Sequence, residues 1–143
     1  MYRGKGARIE VFLVHPGGPF SARKDAGSWS IPKGEYSGDE KPLDAAKREF
    51  REETGFTPGR KFIALGDVKQ RSGKIVAAWA FEGDCDPEQL RSNVFSMEWP
   101  PRSGRQITVP EVDRGGWFSI DEAAIKLKAA QCAFLDRLVA FLA

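Results

Sequence analysis

This chain is poor in cysteine, in histidine, in net charge and in long apolar runs, and each shortage removes a class of function. Cys85 and Cys132 are two thiols 47 positions apart, without the close spacing of a metal knuckle. They argue against a disulfide-stapled secreted domain and for reduced thiols in a cytoplasmic protein. A net charge of +2 gives no electrostatic case for bulk nucleic-acid binding or attraction to a membrane surface. No apolar run is long enough to span a bilayer, and no secretory leader pattern opens the chain. Internal repeats and low-complexity linkers are also missing. The single histidine, His15, follows a strong apolar run. It is suited to touching a phosphate or donating a proton, although such a residue more often caps a strand end.

What remains is 143 residues, 41% hydrophobic and 29% charged, enough for one domain with an ordinary core. One stretch stands out. Pro42 to Thr54 reads as a helix, with proline suited to the first helical position and Gly55 to a left-handed stop. At about 100° per residue, Glu49, Glu52 and Glu53 share one narrow face, while Leu43, Ala46 and Phe50 form an apolar stripe beside it. Like charges at these spacings destabilise a helix, and Arg48, four residues before Glu52, relieves part of that. Converging carboxylates suit a hard divalent cation such as Mg²⁺, with Mn²⁺ as a substitute. A bare acidic face is more often a solvated surface, so the flanking residues must decide.

They do. Gly34, Glu40 and Arg48-Glu49-Phe50-x-Glu52-Glu53-x-Gly55-Phe56 occur at the spacing of the Nudix box, and residues 34–56 match it at every fixed position. The chain therefore resembles the Nudix hydrolase family. The resemblance implies an α+β fold, an α/β/α sandwich with a mixed sheet between helices, over residues 1–143 as a single domain. It also implies Mg²⁺-dependent cleavage of a nucleoside diphosphate linked to another group X. By the same resemblance Glu49, Glu52, Glu53 and the backbone carbonyl of Lys33 hold the metal, with Gly34 allowing close approach. Glu40 matches the outer acid of the box, which supports the loop or a second metal. Glu49 acts as ligand or general base. Glu111, an acid shortly before Trp117, is the rival base, with Asp113 and Glu98 in reserve. Arg48 orients a glutamate. Pro32-Lys33-Gly34 resembles the dinucleoside polyphosphate and diphosphoinositol polyphosphate branches. It favours a dinucleoside polyphosphate or nucleoside triphosphate substrate, and places the Lys33 ammonium near phosphate. A nucleotide-binding sensor on the same scaffold is the alternative, but it would be expected to lose box glutamates, and all are present.

The rest of the chain supplies walls. Arg8 to Val14 is a strong strand, preceded by only the end of the longer first strand that the family leads one to expect, so that strand reads as cut short. Trp29 to Gly34 reads as a short strand, residues 62–70 as a strand broken at Gly66, 74–83 as its hairpin partner, and 95–99 as a strand. Ser119 with Glu122 forms a capping signature, and 131–142 reads as an amphipathic closing helix with Phe134, Leu135, Leu138 and Phe141 on its core face. Arg102 and Arg105, in an exposed loop, are placed to clamp a polyphosphate tail. Trp29, Trp79, Phe20 and Trp99 are candidates to stack on a base, Trp29 foremost. Arg23 and Lys24 fit a solvated loop better than a phosphate site. The expected state is a monomer or homodimer.

Overall fold

A computed structural model describes residues 1–33 and 39–143; Gly34 lies outside the described residues. Strands β1 (Tyr2–Arg3) and β2 (Glu10–Pro16) open the chain, and helix α1 spans Pro42–Thr54. Then follow β3 (Ile63–Lys69), β4 (Ile75–Ala80), β5 (Val94–Glu98), β6 (Gln106–Pro110) and β7 (Val112–Ser119). Two helices close it, α2 (Ile120–Lys126) and α3 (Cys132–Leu142). The ladders are antiparallel: β1-β2-β7 form one sheet, β3-β4 a second and β5-β6 a third. Among the described residues, parallel pairing is confined to the bridges Tyr2–Glu82 and Trp29–Leu127. Segment 29–34 is therefore not a strand among its described residues; Trp29 and Ser30 make isolated bridges instead. Gln106–Pro110 is a further strand, paired with β5.

The run Glu10–Pro16 is nearly continuous in apolar residues because it is covered on both faces. Val11 and Leu13 pack into the larger core with Leu65, Val76, Leu127, Leu135 and Leu138. Phe12 and Val14 face the other way, toward Val112, Phe56 and Trp117. The break at Gly66 is a register shift in the β3-β4 ladder. At the end of β7, Ser119 Oγ accepts the Glu122 N–H and the Glu122 carboxylate accepts the Ser119 N–H, closing a capping box on α2. Helix α3 starts at Cys132 rather than 131, and Phe141 is 64% exposed rather than part of the core face, whose buried residues are Phe134, Leu135 and Leu138 with Leu142 packed beside them. No helix among the described residues is long and apolar enough to cross a membrane.

Candidate active site

Helix α1 is fixed at both ends by local chemistry. Pro42 occupies the first turn, where its missing N–H costs nothing. Gly55 takes φ +77° and its N–H caps the Arg51 carbonyl. Thr54 is fully buried and turns its hydroxyl back onto the Phe50 carbonyl. The stop is thus sharp, and the glutamates sit on the last turns of a rigid element.

Glu49 and Glu53 are both buried, whereas the Glu52 side chain is about 40% exposed. The Glu53 carboxylate accepts the backbone N–H of Lys33, which ties the segment before the helix to its last turn. Burial pushes the Glu53 pKa up to about 8; the Lys33 N–H opposes that shift, and the charges of Glu111 and Glu49 add to it. Burial also raises Glu49, against the pull of Arg48, with Glu52 and Glu111 adding to the rise. Glu111 therefore stands close enough to act on both buried glutamates, although it belongs to the β6–β7 junction.

Arg48 is the organiser of the exposed side. Its guanidinium makes a two-pronged contact with Glu40, Nε to Oε2 at 2.8 Å and Nη2 to Oε1 at 2.9 Å. Nη1 donates to Glu49 at 2.8 Å and to Glu52 at 3.1 Å. One cation thus fixes three carboxylates from two segments of chain, which is what the planar fork of arginine does well.

Glu111 is held by its backbone on two sides. Its N–H donates to the Asn93 carbonyl, and its carbonyl accepts the Gly17 N–H. Gly17 tolerates no side chain, since a Cβ would lie 2.0 Å from the Pro110 carbonyl oxygen. Asn93 in turn donates its N–H to the Glu52 carbonyl at 2.7 Å, so α1 and the Glu111 segment are joined through one residue.

The reserve acids stand elsewhere. Asp113 bonds the fully buried His15 at Nδ1 (2.8 Å), and His15 Nε2 faces the Lys24 carbonyl at 2.6 Å. His15 is thus a strand-end lock between β2, β7 and the 17–28 loop. Glu98 accepts the Arg102 N–H at the far end of the β5-β6 ribbon. That ribbon also separates Arg102 and Arg105 from the carboxylates. Both are exposed at its tip, five strand residues beyond Asn93, or about 17 Å at 3.4 Å per residue.

Trp29 corrects the sequence reading. It is 5% exposed, donates Nε1–H to Asp25 at 2.7 Å and packs edge-on against His15 and Phe118. A ring used this way is core, not the wall of a nucleotide site. Phe20 and Trp99 pair with each other, rings 5.0 Å apart, where the loop meets the ribbon. Trp79 is the candidate that shares a groove with Lys33. That groove runs between the start of α1 and the β3-β4 hairpin, lined by Lys33, Ala45, Gln70, Lys74, Ala77 and Trp79. A neighbouring cavity beneath α1 is lined mainly by apolar side chains, Phe50, Phe81 and Leu135 among them, and carries no carboxylate.

Sequence reasoning missed two polar residues that shape these surroundings. Gln131 is fully buried; its Oε1 accepts the Ile31 N–H, and its Nε2 donates to Ser30 and to Gln70. It fixes the approach to Lys33, but a glutamine at a helix start carries no signature. Asn93 is the other.

Whether a divalent cation suits this place follows from the donors. Two buried carboxylates, a third acid beside them and one buried, unpartnered amide oxygen, Asn93 Oδ1, are hard oxygen donors whose charge calls for a counter-ion. The described residues do not already form a ligating group of three acidic or sulfur/imidazole side chains. The donor set fits the ion in kind: Glu49, Glu52 and Glu53 would hold it, with Glu111 beside them.

Three comparisons bear on this site. A comparison with curated protein sequences finds no match. The crystal structure of a C. elegans Ap4A hydrolase binary complex superposes with a TM-score of 0.65 at 22% identity, over 99% of this chain and 92% of that one, a likeness of fold alone. The family model of the NUDIX domain matches residues 1–138, and with the box glutamates set on the end of α1 as described, this chain belongs to the NUDIX family and is a pyrophosphohydrolase.

Proposed function

We propose that this enzyme hydrolyses, with Mg²⁺, a pyrophosphate bond in a nucleoside diphosphate linked to X, and that X is a second nucleotide joined through a polyphosphate, as in diadenosine tetraphosphate. The observation that carries the reading is the buried Glu53, held by the Lys33 N–H and flanked by Glu49 and Glu111. Pro32-Lys33-Gly34 and the fold likeness to a C. elegans Ap4A hydrolase favour the dinucleoside polyphosphate over other choices of X. A divalent cation in the site neutralises pyrophosphate charge and acidifies a bound water.

The chain's own residues do the remainder. Glu49, Glu52 and Glu53 would hold the cation, with the Lys33 carbonyl as a further ligand. Arg48 keeps Glu49 and Glu52 oriented through its bonds to them. Glu111, held rigidly by its backbone, takes the proton of the attacking water, with Glu49 as the competing base. The Lys33 ammonium and Lys74 meet phosphates at the groove, and Trp79 offers an aromatic wall for a base.

The test is product analysis by chromatography after incubation with diadenosine tetraphosphate, common and oxidised nucleoside triphosphates, ADP-ribose and a diphosphoinositol polyphosphate, across a Mg²⁺ series. Mg²⁺-dependent preference for the dinucleoside polyphosphate is expected. Preference for another member renames X, and nucleotide binding without turnover of any member would overturn the catalytic reading in favour of a sensor module.

A further inference from the structure

Asn93 occupies a place that its ordinary role as a loop residue does not explain. It precedes β5, and three of its four polar groups are used to join the two halves of the site. Its N–H goes to the Glu52 carbonyl of α1 at 2.7 Å, its carbonyl receives the Glu111 N–H at 3.0 Å, and its Nδ2 reaches Glu111 Oε1 at 3.4 Å. The fourth group, Oδ1, is buried and accepts no hydrogen bond among the described residues. Turning the amide over does not remove the problem. It would set an oxygen against the Glu111 carboxylate and leave an NH₂ unpartnered instead, so the network itself assigns the orientation. A buried amide oxygen without a donor is expensive. Here it lies on the residue that joins the Glu52 backbone to Glu111, where the chain has gathered acids for a hydrated cation.

We propose that Asn93 is a positioning residue of this site. Its backbone and Nδ2 hold Glu111 against the Glu49–Glu53 end of α1, and the unpartnered Oδ1 is the cost of keeping Nδ2 on Glu111. The inference rests on the metal-dependent reading above and adds to it a residue outside the box. Partners that orient a metal's ligands are worth about 10–100-fold in metal affinity.

The experiment is a Mn²⁺ titration of substrate-free protein by calorimetry, for wild type, Asn93→Leu and Asn93→Ser. Leucine keeps the branched heavy-atom shape and removes both polar atoms; serine keeps a small polar side chain and decides the matter should leucine prevent folding. Both variants are expected to bind Mn²⁺ about 10–100-fold more weakly while their metal-free circular dichroism stays that of the folded protein. A merely structural role would lower the melting temperature and leave the Mn²⁺ affinity of the folded protein unchanged. Wild-type affinity in a folded variant overturns the assignment and leaves the proposed function standing. Failure of the wild type itself to bind Mn²⁺ overturns both.

Discussion

Glu53 is a buried acid beside two others, and burial raises its pKa to about 8. Removing its carboxylate while keeping its shape tests whether that placement is put to use. Glu53→Gln should reduce turnover by more than about 100-fold, since even a ligand's hydrogen-bonded partner is worth about 10–100-fold. Its circular dichroism and melting transition should remain those of a folded protein, and near-normal turnover in steady-state assays would sink the assignment. Trp29 is the opposite case. Trp29→Phe should lose roughly 1 kcal/mol, the usual net worth of one hydrogen bond, here to Asp25, and leave KM unchanged. A KM raised tenfold with unaltered urea unfolding would return Trp29 to the substrate site. The contrast shows what a sequence can carry at this scale. The box glutamates were legible because their spacing is tied to metal chemistry. Trp29, Asn93 and Gln131 were not, since a tryptophan in a polar loop, an asparagine before a strand and a glutamine before a helix are decided by what lies across the fold.

At the scale of elements, α1 was legible to the residue because proline and glycine punctuate it, and both act through local backbone geometry. The pairing of β2 with β7, about 100 residues away, carried no comparable local signal, nor did the reduction of 29–33 to single bridges. The helix stop offers a test of how much the site depends on that punctuation. Gly55 has φ +77°, and a Cβ there would lie 2.9 Å from the Arg91 carbonyl oxygen and 3.0 Å from Arg91 Cβ. Arg91 is bonded through its N–H to Thr54 and stands two residues before Asn93, so the clash falls on the junction between α1 and the Glu111 segment. Gly55→Ala should therefore cost about 1–2 kcal/mol from the left-handed backbone alone, with the contact adding to it. Urea unfolding reads the stability. Turnover per folded molecule should fall as well, which an equally destabilising change in α3 would not produce.

For the whole molecule, the buried glutamates give stability a definite dependence on pH. The folded-state pKa of Glu53 is about 8, above its ordinary value of 4.5. Below 4.5 the carboxyl is protonated in both states and its contribution to stability is fully present. Between 4.5 and about 8 the unfolded chain releases the proton and the folded chain keeps it, so stability falls as pH rises, by at most about 1.4 kcal/mol per unit for one group. Glu49, also raised by burial, acts in the same direction. Asp25, Asp84 and Glu122 have lowered values and the opposite sign, but they are exposed and act where their own carboxyls titrate, below about pH 4.5. In the neutral range the buried Met1 amino group, lowered by burial from 8.0 to about 5, acts with the opposite sign, so the share of the site is read by comparing wild type with Glu53→Gln. Metal reverses the sign there, because the ion binds the deprotonated carboxylate and its stabilisation grows as pH rises toward 8. Relative to Glu53→Gln, metal-free wild-type protein should show a urea midpoint that falls from pH 5 to pH 8. Saturating Mn²⁺ should flatten or invert that relative fall. A variant that keeps the full wild-type slope would place the titrating group elsewhere and remove the link between this acid and the cation.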